Sequence, residues 1–321
     1  MSSILPIKIS YIETYMCDAF IQGIVASHDI LENELFNSYV NLRCDNVSDL
    51  KEINIHYTGV SWEDFRKRGL AEMNLFSFSN IPRDNCIAFL DERISQGCYI
   101  LLYKIDEYYL SYSKYYRVKH FIHDTYIYGY DEEHYYVMAY RGHHLDLFKV
   151  QKNEILDGLY RPGEEEGIVD FCTFRPAIVK KIRANKRKFQ KGLEYFLQGE
   201  GEYQTNHIYG IKVYDILKNC TYNEIENSHL KNPADVRGFR MLWEQKRLLC
   251  AQINRFYSQN EQLDNKYLMG MKNIEELAHR IFKLSLKYNV IYKAEILERI
   301  IQLVDMLSDM EKEVYGNVLG M

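Results

Sequence analysis

The chain of 321 residues has little proline, only five, beside 17 glycines, which leaves scant room for a long flexible linker. It has no excess of charge: 40 Lys and Arg face 45 Asp and Glu, a formal net charge of −5. That balance speaks against a dedicated nucleic-acid binder, which needs a basic excess or a concentrated basic face. No apolar run approaches the roughly 20 residues that cross a bilayer. The first residues, MSSILPIKIS, lack a long apolar run and a small-residue cleavage site. The expected compartment is the cytoplasm, with no membrane partner. Seven cysteines, at 17, 44, 86, 98, 172, 220 and 250, form no CxxC pair and are odd in number. Zinc ribbons and a disulfide framework are therefore poor readings, and most of these thiols are expected as small core residues.

What remains is a globular composition, 47% hydrophobic and 26% charged, which rules against collagen, rods and disorder. The first half is patterned for both helices and strands. Cys17, Phe20, Ile21 and Ile24 fall at helical spacing. Cys98 to Asp106 reads as a buried strand. Ile122 to Tyr128 and His134 to Tyr140 read as a hairpin around Gly129-Tyr130-Asp131, and Phe148 to Val150 adds a short strand. Arg161-Pro162-Gly163 and Glu164 to Glu166 mark a loop. From about Val179 the pattern turns helical. Phe239, Leu242, Trp243 and Leu249 share one side of a helix over Ala234 to Ser258. Ile274, Leu277, Ile281 and Leu284 line another, and Leu297, Ile300, Val304 and Leu307 a last one, as a packed bundle requires. The expected fold class is α+β, with one domain over 1–160 and a helical domain over 161–321 that completes the substrate pocket.

Cys17 stands at the predicted start of a helix. Free N–H groups and a partial positive charge there favour a thiolate and an oxyanion. The plainer reading places Cys17 in a core stripe with Phe20 and Ile24. His123 opens a strand and shares its face with Phe121, Thr125 and Ile127. An imidazole near a cysteine is the usual activator of the thiol, but with ten histidines in the chain the pair alone is a weak motif.

The stretch CYILLYKIDEYYLSYSKYYRVKHFIHDTYIYGYD, Cys98 to Asp131, carries more. Its segments are Asp106, Tyr108-Tyr109-Leu110-Ser111-Tyr112, His120, His123 and Gly129-Tyr130-Asp131. Together they resemble the N-terminal domain of the butirosin biosynthesis protein H family, a papain-like cysteine fold. Tyr209-Gly210-Ile211 and Tyr214-Asp215-Ile216-Leu217 are similar to that family's helical C-terminal part. The resemblance implies a papain-like domain with Cys17 as nucleophile and His123 as base. It also implies transfer of an acyl group from a carrier-protein thioester to a small amine. Such transfer needs no cofactor and no metal, the substrate arriving on the carrier's phosphopantetheine arm. Two places depart from the pattern. Where related peptidases keep the third triad member, this chain has Ala139, and where they hold an oxyanion Gln it has Tyr11. The acid expected to orient His123 is Asp106, with Asp131 second, and the expected oxyanion donor is the backbone N–H of Cys17.

Lys180 to Lys191 carries seven positive charges in twelve residues, a docking face for an acidic carrier or an ordinary solvated helix face. His134, His143, His144 and Asp146 are ligand types, but adjacent strand histidines point to opposite faces and make a poor metal site. Two competing functions stay open beside acyl transfer. One is a cysteine peptidase or thioesterase of the same fold. The other is a non-catalytic binding protein on a degenerate scaffold, for which Ala139 is the best support.

Overall fold

The computed structural model describes residues 2–45, 54–142, 144–160, 170–177, 180–201, 207–257 and 265–320. The loop expected at Arg161 to Glu166, His143 and Val179 lie outside these residues. In chain order the elements are β1 (Ser3–Ile4), α1 (Met16–Ser27), α2 (Asn33–Ser38), β2 (Leu42–Asp45), β3 (Asn54–Tyr57), α3 (Trp62–Lys67), β4 (Ala71–Ser77), α4 (Arg83–Ser95) and β5 (Tyr99–Asp106). Then come β6 (Ile122–Tyr130), β7 (His134–Arg141), β8 (His144–Gln151), α5 (Lys152–Leu159), β9 (Asp170–Pro176), α6 (Lys186–Gln198), β10 (Ile208–Tyr209), α7 (Val213–Glu226), α8 (Arg237–Tyr257), α9 (Asn265–Ile291) and α10 (Ala294–Leu319). The fold class is α+β, with an antiparallel sheet and a helical C-terminal region. No helix among the described residues is long and apolar enough to cross a membrane.

The chain divides into two compact units, one of Met1–Ile30 with Ser61–Lys181, the other of Leu31–Val60 with Ile182–Met321. The division is not a single cut near residue 160, because the segment 31–60 joins the helical residues.

In the first unit the strands run β4-β9-β5-β6-β7-β8, all antiparallel, with β1 added against the end of β6. The apolar run Tyr99 to Leu102 is buried throughout, so β5 presents core residues to both faces. Ile100, Leu102, Ile127 and Val137 face one way, into a cluster with Leu90 and Ile94 of α4 and Ile155 and Leu159 of α5. Tyr99 and Tyr126 face the other way, where Phe20 of α1 stacks on Tyr126 at 4.7 Å and meets Tyr99 edge-on at 5.8 Å. The hairpin is longer than its sequence pattern, since Gly129 and Tyr130 belong to β6 itself. Gly129 is required there: a Cβ would lie 2.9 Å from the Ser3 carbonyl oxygen, against which β1 pairs.

In the second unit β10, β2 and β3 make a small antiparallel sheet. α9 packs against α8 and α10, and α10 against α7. The helical pattern expected from Val179 begins instead at Lys186. Asn185 caps α6 by accepting the Lys188 N–H at 3.1 Å. The residues before it are held in non-helical form by Asn33 and Asn37, whose side-chain amides donate to the carbonyls of Ile182 and Arg183 at 2.9 and 3.0 Å.

Candidate active site

Cys17 is the second residue of α1. No side chain caps this helix at Tyr15, and the backbone N–H groups of Asp18 and of Cys17 itself lie near enough to the sulfur to favour its thiolate. They are outweighed. Cys17 keeps some surface, yet dense packing around its sulfur pushes the thiol well above its ordinary pKa, and the carboxylates of Asp18 and Asp124 push it further. The thiolate expected from a helix N-terminus is thus not the resting form: desolvation and two acids defeat the dipole. Gln22, further along α1, accepts the N–H groups of Tyr11 and Ile12 at 2.8 and 2.9 Å, which fixes the segment entering the helix.

The position of His123 follows from a bulge. β5 and β6 pair Leu102 with Thr125, then Ile105 with His123, with the register shifting between. Lys104 takes a left-handed backbone there, φ 59°, and its N–H donates to Asp124 Oδ1 at 3.2 Å. His123 therefore shares a face with Ile105 and, two residues on, Glu107. Its Nδ1 lies 3.3 Å from Glu107 Oε1, at ion-pair distance but off the line of an aligned hydrogen bond. Burial pulls the pKa of His123 down, but Glu107, with a smaller contribution from Asp124, outweighs it and leaves the pKa above the ordinary 6.5. With Nδ1 turned to the carboxylate, Nε2 is the nitrogen left for proton transfer.

Asp106 does not orient His123. Its carboxylate is fully buried and accepts from His120 Nδ1 at 2.6 Å and from the backbone N–H groups of Tyr108 and Phe121, each at 3.1 Å. The bulge moved the acid facing His123 one residue along, from Asp106 to Glu107. Asp131 is engaged elsewhere: Lys149 lies 2.8 Å away and, with the N–H groups of His134 and Glu133 at the hairpin turn, holds its carboxyl far below the usual range.

No hydrogen bond joins Cys17 to His123. One route of contacts runs between them. β6 pairs with β7 from Tyr126 to Tyr130 only, so at His123 the strands are unpaired, and the His123 ring lies 6.0 Å from that of Tyr140. The Tyr140 hydroxyl in turn donates to the carbonyls of Glu13 and Thr14, at 2.7 and 2.9 Å, just before Cys17. Asp124, which follows His123 and points to the opposite face of β6, is the residue of that strand whose carboxylate acts on the Cys17 sulfur. The reading of the sequence missed Glu107, Asp124, His120's partnership with Asp106, and Tyr140. Glu107 alone had a signal, its adjacency to the chosen acid.

Of the cationic stretch, Lys188 lies 2.9 Å from the buried Glu34, and Lys186 sits 3.7 Å over the Tyr257 ring, so both serve the second unit's own packing. Among the described residues no group of three or more His, Cys, Asp or Glu is placed to hold a metal ion. No protein-family model matches the chain, and no curated protein matches it.

Proposed function

We propose that the chain is a papain-like, cysteine-dependent acyltransferase that joins a carrier-bound acyl thioester to a small amine in natural-product assembly. The chain also resembles the amide synthetase of closthioamide assembly, which joins carrier-bound chains through a diamine. The observation that carries the reading is the contact chain Glu107–His123–Tyr140–Thr14, which ends at the turn into Cys17.

In this reading His123 Nε2 takes the Cys17 proton as the sulfur attacks the thioester carbon. Collapse of the adduct expels the carrier thiolate, which recovers that proton and leaves acyl-Cys17. A neutral amine then attacks, its proton passes to His123, and the departing Cys17 thiolate takes it back. Because the resting thiol is neutral and makes no bond to His123, the two must approach when the thioester binds. The helix-terminal N–H groups supply the oxyanion donors. A hydrolase would follow the same course with water in place of the amine.

The raised thiol favours a second reading, a scaffold that binds without transforming. Intact-protein mass spectrometry after mixing with acyl-N-acetylcysteamine thioesters separates the three. A mass gain at Cys17 discharged only by added amine supports the acyltransferase. A gain lost at the same rate without amine points to a hydrolase. No gain in the wild type, or a gain that survives Cys17→Ala, ends the covalent mechanism.

A further inference from the structure

On the first unit several cations meet carboxylates: Arg66 with Glu63, Arg83 with Asp157, Lys149 with Asp131, Lys152 with Asp91 and Arg175 with Glu72. The loop between β5 and β6 gathers three cations that do not. Lys114, Arg117 and Lys119 are exposed and form no ion pair among the described residues. Each lies instead over a tyrosine ring, Lys114 and Lys119 at 4.9 and 4.7 Å from Tyr115, and Arg117 at 5.0 Å from Tyr116. Between the last two stands Val118, 74% exposed. The described carboxylates beside the loop are already engaged. Asp106 holds His120, Glu107 takes the Ser113 hydroxyl at 2.5 Å, and Glu154 takes the Ser111 N–H at 2.8 Å. These bonds also fix the loop's shape, as does the Arg117 N–H to the Tyr108 carbonyl at 2.9 Å, with Arg117 at φ 54°.

We infer that this loop is the docking surface for an acidic face of the carrier protein, an assignment that rests on the acyltransferase reading. Three uncompensated cations around one apolar tip, on a chain of net charge −5, complement a partner helix bearing carboxylates around a small apolar spot. A nucleic acid fits less well, since base stacking needs free aromatic faces and these rings already carry cations. A membrane would need more apolar surface than Val118 provides. The loop flanks the strand ends that carry Glu107 and His123, so a carrier held there keeps its arm on the side of the proposed base.

The test measures binding of a fluorescently labelled holo acyl carrier protein to the full chain by anisotropy, over a range of salt, for wild type and for Lys114→Glu/Arg117→Glu/Lys119→Glu. The charge reversal should weaken binding by about 10-fold or more and flatten its salt dependence. Acylation of Cys17 by acetyl-N-acetylcysteamine should be unaltered. Single reversals at Lys114 and Lys119, both exposed, serve if the triple variant misfolds. Equal binding by wild type and variants would overturn the docking assignment. So would wild-type binding to poly(U) or to phosphatidylglycerol vesicles but not to the carrier, or to none of the three. Loss of the small-thioester reaction in the wild type would count against acyl transfer and leave the binding result standing.

Discussion

Glu107, not Asp106, is the acid that faces His123, with Oε1 3.3 Å from Nδ1. The carboxylate outweighs burial and holds the imidazole above its ordinary 6.5, so the neutral, proton-accepting form is reached at higher pH than in its absence. Glu107→Gln should therefore move the acid limb of the Cys17 acylation rate to lower pH. It should also lower the plateau by about 10-fold or more, because an imidazole in the wrong orientation accepts the thiol proton poorly. The linkage has a definite sign. A histidine whose pKa is raised on folding adds stability that is complete below the unfolded value and lost as pH rises through the folded one. The variant should lose stability most below about pH 6.5. A pH–rate profile with an unmoved acid limb would detach Glu107 from the base.

Asp106 has a different expectation, since its carboxylate ties together the two ends of the 107–121 loop through Tyr108, His120 and Phe121. Asp106→Ala strands two backbone N–H groups and removes the anchor of His120. Each lost bond costs about 1–3 kcal/mol where the freed group stays buried. Urea unfolding should show a loss of that size, and Cys17 acylation should fall through disorder of the loop rather than through a shifted pH profile. A fully stable Asp106→Ala chain would contradict this structural role.

The strands and helices were legible because apolar periodicity set them. The run around Tyr99 to Leu102, the hairpin near Gly129 and the Leu297–Leu307 stripe all fall in elements of the expected type. The partner of His123 was not legible, because strand parity assumes regular pairing and the bulge at Lys104 breaks it without the glycine that usually announces one. Membership of the segment 31–60 in the second unit was equally hidden. It depends on distant contacts such as the Asn41 side-chain amide to the Glu200 carbonyl at 2.7 Å, which no local pattern encodes.

Gly158 of α5 sets the position of the strand end that carries Asp106 and Glu107. A Cβ there would lie 2.8 Å from Ile105 Cγ1 and 3.1 Å from the Asp106 carbonyl oxygen. Alanine in a helix gains at most about 0.5–1 kcal/mol over glycine, but overpacking against a fully buried strand costs about 1–3 kcal/mol. The clash should win. Gly158→Ala is expected to lower the melting temperature and to slow Cys17 acylation, with Gly316→Ala in α10, where an added Cβ meets no atom within 4 Å, showing the backbone effect without the clash. A gain in stability for Gly158→Ala would mean that β5 yields freely at Ile105.

Within the second unit, Lys246 on α8 and Glu311 on α10 are both fully buried and lie 2.6 Å apart, and the hydroxyls of Tyr214 and Tyr315 also donate to Glu311. Removing one charge strands the other, so Lys246→Met should cost about 3–5 kcal/mol. Removing both by Lys246→Met/Glu311→Leu spares the charge penalty but orphans two hydroxyls, at about 1–3 kcal/mol each. The double variant should therefore be more stable, by a wide margin, than the sum of the single losses predicts, which a double-mutant cycle in urea measures. Burial also lowers the Lys246 pKa despite Glu311. The folded chain then sheds this proton before the unfolded one does, so the Lys246 contribution to stability rises as pH climbs toward 10.5. Lys246→Met should abolish that rise, and additive single effects with an unchanged pH slope would show the pair to be energetically idle.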